Sequence, residues 1–261
     1  MQIYCLQLNI DWENKPPNHR RVLALLDETS PEPSSLVILP EMFATGFSMN
    51  VEKITDSPSR ETQGFLAEVA SKFEIFLVAG VVTTAAGGRG RNECVVYGPD
   101  GGEVARYAKM QPFTLGGESA HYEAGEGTCL VPWNGFQVAP FICYDLRFPE
   151  LFRAAVQRGA NLYTVIASWP IARISHWVAL LRARAIENQA YVAGVNRSGR
   201  DPFFVYPGRS MIVDPRGEII AECGDAEGVI SAEVNLEALM AYRRELPFLK
   251  DHRHTYVRNL D

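Results

Sequence analysis

Three reactive side chains follow apolar, strand-like runs at widely separated points of the sequence. The run "SLVILP" leads into Glu41, "EVARYA" leads into Lys109, and "FQVAPFI" leads into Cys143. In sheets with buried parallel strands, ligands collect beyond the carboxyl ends of the strands, where several strand ends meet. The pattern therefore predicts that a carboxylate, an amine and a thiol converge at one edge of the fold.

These three groups would suffice for hydrolysis through a covalent intermediate on sulfur, without a histidine. A free thiol is only about a few per cent thiolate at neutral pH, so it must be deprotonated or have its pKa lowered. Glu41 could remove the thiol proton and later protonate a departing amine. Lys109 could hold the thiolate and then, with the backbone N–H of Tyr144, stabilise the oxyanion. We expect Cys143 to be the nucleophile, with no metal and no organic cofactor.

Each residue taken alone also has an ordinary structural explanation. A cysteine at a strand end is more often a small buried apolar residue than a nucleophile. A glutamate after a proline usually lies in a solvated loop, and a single lysine usually lies on the surface. Cys143 differs from the other four cysteines in the charged cluster that follows it, Asp145, Arg147 and Glu150. A catalytically silent α/β binding protein is therefore the alternative from a different functional class.

Strand-like and helical segments that could position these residues recur along the whole chain. Several strand-like runs are continuously apolar, which is typical of strands buried on both faces. Helical spacing of apolar residues predicts helices over 60–73 and 172–189. "VVYGPDGGEVARY" and "MIVDPRGEIIAE" each predict a hairpin with a Pro- and Gly-containing turn. Residues 1–261 are predicted to form a single α/β domain in a layered sandwich. The strand-like runs are 3–10, 35–40, 75–83, 93–98, 103–108, 136–143, 161–167, 191–196, 210–214 and 218–222.

Composition excludes several other classes of protein. The net charge of −6 and the absence of a basic stripe argue against a nucleic-acid or anionic-membrane partner. The first residues do not resemble a signal peptide, and no apolar run is long enough to span a bilayer. The five cysteines are odd in number and never spaced C-x-x-C, which predicts a reducing, cytoplasmic location. No strand–GxGxxG–helix unit is present, so nucleotide binding is not expected.

The stretches around the three reactive residues resemble the nitrilase (carbon–nitrogen hydrolase) superfamily. They are "VILPEMFATGF", "YAKMQPF" and "ICYDLRFPEL", in the order Glu, Lys, Cys that this family uses. The resemblance extends to "ESAHYEAG", "RARAIENQAYVAGVNRSG" and "GRSMIVDPRGEIIAE". It implies a four-layer α-β-β-α sandwich and a homodimer formed through helices on one face. It also implies that Glu41, Lys109 and Cys143 are catalytic and that Glu118 supports Lys109, with an ordinary loop carboxylate as the alternative for Glu118.

Within the superfamily, the sequence looks most like the bacterial omega-amidase branch. The stretches that carry this likeness are "LPEMFATGFSM", "CYDLRFP" and "HWVALLRARAIENQAYVAG". This resemblance implies hydrolysis of the side-chain amide of 2-oxoglutaramate or 2-oxosuccinamate, through a thioester, to the keto acid and ammonia. A nitrilase, an N-carbamoyl amino acid amidohydrolase or an aliphatic amidase is the alternative within the superfamily.

An acidic substrate would need a cation for its distal carboxylate, and the guanidinium fork of arginine fits a carboxylate well. Arg173, in "SWPIARISHW", is the candidate, with a surface ion pair as the alternative. Phe47 and Trp169 are candidates for the wall of the substrate pocket. Arg147 is expected to pair with Glu150 on a helical turn.

The histidines are interpreted as structural. His176 falls on the predicted helix beginning near residue 172, and the Glu–Lys pair already supplies the proton transfers. His252 and His254 form an H-x-H pattern in a charged tail. A solvated terminus or a dimer contact is expected there rather than a metal site.

Overall fold

The computed structural model describes residues 1–252, and within them the chain forms two stacked six-stranded sheets, a small hairpin and seven α-helices. The strands are β1 (Gln2–Gln7), β2 (Leu36–Ile38), β3 (Phe76–Thr84), β4 (Gly90–Tyr97), β5 (Glu103–Ala108), β6 (Val131–Trp133), β7 (Phe136–Ile142), β8 (Leu162–Ala167), β9 (Tyr191–Asn196), β10 (Ser198–Arg200), β11 (Val205–Pro207), β12 (Met211–Val213), β13 (Ile219–Glu222) and β14 (Gly228–Glu233). The helices are α1 (Lys15–Thr29), α2 (Val51–Ile54), α3 (Glu61–Lys72), α4 (Glu118–His121), α5 (Pro149–Gln157), α6 (Ile174–Asn188) and α7 (Leu236–Glu245).

The first sheet has the strand order β14-β1-β2-β3-β4-β5, and the second has the order β13-β12-β9-β8-β7-β6. Strands β1, β2 and β3 are parallel, and so are β7, β8 and β9. Both predicted hairpins form, β4–β5 in the first sheet and β12–β13 in the second. The ten strand-like runs of the sequence all become strands, although their ends differ by a few residues.

The alternation of side chains along β1 shows how the layers are built. Ile3 and Cys5 point to the core between the two sheets, while Tyr4 and Leu6 point to a second core. Successive side chains of a strand face opposite sides, so one apolar run fills both cores. This explains why the sequence shows continuous apolar runs rather than alternation.

Helices cover the outer face of each sheet. Val22 of α1 and Leu66 of α3 pack in the outer core of the first sheet. Phe152 of α5 and Trp177 of α6 pack with the second sheet. The order of layers is helix, sheet, sheet, helix, which confirms the predicted four-layer α-β-β-α sandwich. Among residues 1–252, no helix combines the length and the apolar character that a membrane span needs.

Candidate active site

Strand direction brings the three predicted reactive residues to one edge of the sandwich. In the first sheet, β5 runs in the same direction as β2, because β3–β4 and β4–β5 are both antiparallel. Glu41 and Lys109 therefore follow strands that end at the same edge. In the second sheet, Cys143 follows β7 and Ser168 follows β8, its parallel neighbour. The site lies where these four strand ends meet.

Cys143 itself lies just outside the strand to which the sequence assigned it. Strand β7 ends at Ile142, and Cys143 begins a 3₁₀ turn, Cys143–Arg147, with a φ of 46°. A non-glycine residue in this left-handed region is uncommon, and such residues cluster at functional sites. The turn places the Tyr144 N–H in its first residues, where backbone donors have no partner within a helix.

The carboxylate of Glu41 is fully buried and faces three hydrogen-bond donors. Its Oε1 accepts from Nδ2 of Asn92 at 2.7 Å and from Nζ of Lys109 at 3.0 Å. Its Oε2 accepts from the backbone N–H of Ser168 at 2.8 Å. All three neighbours donate hydrogen bonds, so the Glu41 carboxyl group is the acceptor in each.

Lys109 lies between two carboxylates. Its Nζ donates to Oε2 of Glu118 at 2.7 Å as well as to Glu41, and the Lys109 side chain is only 2% exposed. Nδ2 of Asn92 also donates to Oε1 of Glu118 at 2.9 Å, so it bridges the two acids. Burial by itself would lower the pKa of Lys109, but Glu118 and then Glu41 raise it above its ordinary value. The amine is therefore held as a cation.

Burial and the Glu41 charge raise the pKa of the Cys143 thiol well above its ordinary value. Lys109 and the backbone of Ser168 act in the opposite direction but do not outweigh them. Lys109 therefore lowers the pKa of the thiol, but by less than burial and Glu41 raise it. The protonated thiol is therefore the favoured form of Cys143.

Close approach of two backbone segments fixes the position of Glu41. A Cβ on Gly80 of β3 would lie 2.5 Å from the Met42 nitrogen and 2.7 Å from the Glu41 Cα. Real Cβ atoms essentially never make such contacts, so only glycine lets the turn after β2 lie directly on β3.

One cavity opens above Cys143 and contains the predicted substrate-binding residues. Phe47, Trp169 and Arg173 all line it, while the ring of Phe47 also lies 5.2 Å from Nζ of Lys109. It encloses about 430 Å³ of empty space, part of it open to solvent. We call it the Cys143 cavity, lined by Phe47, Phe113, Cys143, Tyr144, Arg147, Ser168, Trp169, Pro170, Arg173, Phe204 and Tyr206.

The expected pair of Arg147 with Glu150 does not form among the described residues, and that interpretation was wrong. The Arg147 guanidinium lies 4.8 Å from the centroid of the Trp169 ring and lines the Cys143 cavity instead. The turn at Phe148–Pro149 separates the two residues onto different helical segments, which explains the difference. Within residues 1–252, neither Arg147 nor Arg173 forms an ion pair with an acid, and Arg173 lies over the Phe113 ring at 5.4 Å.

His176 and His252 each contact a neighbouring side chain. His176 is exposed, and its Nδ1 is 3.3 Å from Nη2 of Arg147, in keeping with a structural role. His252 contacts Gln157 through Nδ1 at 3.1 Å. His254 lies outside the described residues.

Sequence reasoning missed three groups of this site. Asn92, which bridges both acids, was overlooked because the predicted strand began one residue later, although a polar residue beside the apolar run "ECVVYG" was visible. Asp145 was noticed but given no role, and it is completely buried. The backbone N–H of Ser168 leaves no signal in a sequence, because any residue type supplies it.

Comparisons with known proteins agree with this geometry. The carbon-nitrogen hydrolase family model matches residues 3–244. The chain is 38% identical to an omega-amidase, YafV, from Yersinia enterocolitica, with 96% of each chain covered. It is 33% identical to a 2-oxoglutaramate amidase of Bacillus subtilis, over 96% of this chain and 97% of that one. A solved CN-hydrolase superfamily protein of Xanthomonas campestris, XC1258, with an arsenic adduct in its active site, superimposes with a TM-score of 0.91 at 33% identity, covering 97% of each chain.

Proposed function

The chain belongs to the carbon-nitrogen hydrolase family and is an amidase of the nitrilase superfamily, and from this premise we propose that it is an omega-amidase. Its substrate would be a small carboxylated amide, 2-oxoglutaramate or 2-oxosuccinamate, and its products the dicarboxylic keto acid and ammonia. The observation that carries the proposal is the grouping of Glu41, Lys109 and Cys143 beneath a cavity lined by two arginines, neither of which pairs with an acid among residues 1–252.

In the first half of the reaction, Cys143 attacks the amide carbon. Glu41 takes the thiol proton as the C–S bond forms, so no thiolate has to exist beforehand. The negative charge moves to the carbonyl oxygen, where Lys109 and the Tyr144 N–H stabilise it. When the tetrahedral intermediate collapses, the C–N bond breaks and Glu41 returns the proton to the departing ammonia. A thioester on Cys143 remains.

In the second half, water replaces ammonia in the same position. Glu41 removes a proton from the water, and the resulting oxygen attacks the thioester carbon. The C–S bond then breaks, the carboxylic acid leaves, and the proton goes back to sulfur. Glu118 supports both halves, because its charge keeps Lys109 protonated and its Oε2 holds the amine in place at 2.7 Å.

The arginines argue for an anionic substrate. Arg147 and Arg173 line the Cys143 cavity, and their contacts there are with aromatic rings and a histidine rather than with acids. A guanidinium offers a planar pair of donors that matches a carboxylate. We propose that Arg173 binds the distal carboxylate, that Arg147 adds positive charge, and that Phe47 and Trp169 form the wall around the carbon chain.

A direct test is to quench turnover of 2-oxoglutaramate and measure the mass of Cys143-containing peptides. An acyl adduct on Cys143 is expected, together with ammonia release that Cys143→Ala abolishes without changing the thermal melt. Parallel assays would include 2-oxosuccinamate, short neutral amides, N-carbamoyl amino acids and nitriles. Exclusive turnover of nitriles, or full activity in Cys143→Ala, would contradict the proposal.

A further inference from the structure

Asp145 is a buried carboxylate that the proposed reaction does not use. It lies two residues after the nucleophile and is 0% exposed. Its Oδ2 accepts hydrogen bonds from the Tyr107 hydroxyl at 2.7 Å and the Ile142 N–H at 3.0 Å. Its Oδ1 accepts from the Gln111 N–H at 2.9 Å. Burying a charge is costly unless hydrogen bonds compensate for it, so this arrangement requires an explanation.

The donors to Asp145 come from both sheets and flank the two groups that must cooperate. Tyr107 and Gln111 lie two residues before and two residues after Lys109, in and after strand β5 of the first sheet. Ile142 is the last residue of β7 in the second sheet and directly precedes Cys143. One carboxylate therefore binds the chain on both sides of Lys109 to the turn that carries the sulfur.

We propose that Asp145 is a positioning residue that fixes Lys109 relative to Cys143 across the two stacked sheets. This inference rests on the proposed function, in which Lys109 must lie where the oxyanion forms. Stabilisation of an oxyanion depends on donors held about 2.7–3.1 Å from the position that the oxygen will occupy. The three hydrogen bonds of Asp145 maintain that geometry before substrate binds.

The ionised carboxylate offers a full acceptor to each of the three donors. A carboxylate accepts on both oxygens, whereas an amide or a protonated acid presents a donor on one of them. In Asp145→Asn, the new NH₂ group would face the N–H of either Gln111 or Ile142, and one connection between the sheets would be lost. The hydroxyl of Tyr107 stays a donor, because burial and the Asp145 charge raise its pKa well above the ordinary value.

The raised pKa of Asp145 lies near neutral pH. Burial raises the pKa of Asp145 to about 7, although the Ile142, Tyr107 and Gln111 hydrogen bonds and the nearby Lys109 charge act to lower it. As the pH falls through this value, Asp145 takes up a proton and one of its three accepted hydrogen bonds is lost. kcat should therefore decrease as the pH falls through about 7.

The test compares Asp145→Asn and Tyr107→Phe with Asp214→Asn as a matched control. Asp214 accepts two backbone hydrogen bonds in the exposed turn between β12 and β13, from Arg216 and Glu218 at 2.9 Å each. Asp145→Asn should lower kcat for 2-oxoglutaramate on the order of a hundredfold, with KM nearly unchanged. Cys143 should also react more slowly with iodoacetamide, because Lys109 no longer lies where it lowers the thiol pKa. The control should match the wild type in both measurements.

Tyr107→Phe keeps the test valid if Asp145→Asn fails to fold. It removes one hydrogen bond that lowers the pKa of Asp145, so the decrease of kcat should move to higher pH. A merely structural role would lower the melting temperature and leave this pH unchanged.

An unmoved pH profile in Tyr107→Phe, or wild-type kcat in folded Asp145→Asn, would overturn the inference. Absence of ammonia release from the wild type would instead refute the proposed function. In that case, the pH dependence of the rate at which iodoacetamide alkylates Cys143 would still test the role of Asp145.

Discussion

At the residue scale, the buried charged group beside Cys143 has two carboxylates around one amine. Glu41 and Glu118 both contact Lys109, and the thiol of Cys143 is disfavoured as an anion by burial and by Glu41. Such a site does not store a reactive thiolate. In the proposed mechanism, the sulfur stays protonated until a carbonyl carbon is in place, so deprotonation accompanies attack.

Replacing Arg173 with alanine should weaken the binding of carboxylated substrates. Loss of a hydrogen bond to a charged group costs about 1.5–3 kcal/mol, which corresponds to a KM increase of about ten- to a hundredfold. Steady-state kinetics with 2-oxoglutaramate should show this increase, while turnover of a short neutral amide should change little. Arg20→Ala, on the exposed surface of α1, is the control. An equal loss for charged and neutral amides would contradict a role in carboxylate binding.

At the element scale, the strands position the site and the turns after them determine its geometry. Glu41, Lys109 and Cys143 each follow a strand that ends at the same edge, but none of them lies within a strand. Met42 and Cys143 both adopt a positive φ, of 46° in each case. The backbone therefore turns sharply next to Glu41 and at Cys143. This geometry depends on close packing beneath the turns, as at Gly80.

Replacing Gly80 with alanine should displace the turn that carries Glu41. The new methyl group would lie 2.5 Å from the Met42 nitrogen, so the backbone must move. A displacement of about 1 Å can reduce catalysis on the order of a hundredfold, and kcat for ammonia release should fall by that order.

Gly64→Ala, at an exposed position of α3, is the control, because no other atom lies within 4 Å of a Cβ added there. It should keep full activity and raise the free energy of unfolding by about 0.5–1 kcal/mol. Wild-type kcat in Gly80→Ala would show that the close approach is not required.

The sequence predicted the strands better than the helices, for identifiable reasons. Long apolar runs show where the buried strands lie. Helix α1, in contrast, has Pro16 and Pro17 in its first turn and buries Asn18 and His19 beside its apolar residues, which hides its periodicity. Strand β14 was missed because it is a partly exposed edge strand. The position of Glu41, Lys109 and Cys143 at strand ends was readable from residue order alone. The partners of Asp145 were not, because Tyr107 lies 38 positions away in the other sheet.

At the scale of the whole molecule, the site exists only while the two sheets stay stacked. The first sheet supplies Glu41 and Lys109, and the second supplies Cys143 and the N–H of Ser168. The core between them includes residues from both, such as Ile3, Val78 and Val138. The site therefore depends on the stability of this core.

Loss of activity on heating should coincide with global unfolding. Ammonia release after brief incubation and tryptophan fluorescence should give the same midpoint, because Trp133 and Trp177 lie in the core that joins the two sheets and α6. The comparison is made at one protein concentration and one heating rate. Activity that disappears well below the fluorescence midpoint would show that the site opens before the core does.

The path of the chain between the sheets has a practical consequence. Strands β1 to β5 all belong to the first sheet and β6 to β13 to the second or to the small hairpin, but β14 crosses back to pair with β1. A polypeptide divided in the segment 123–130 would yield two pieces, the first with Glu41 and Lys109 and the second with Cys143. The second piece would also carry β14, an edge strand of the sheet in the first piece. Under the proposed function, ammonia production would require the two pieces to associate.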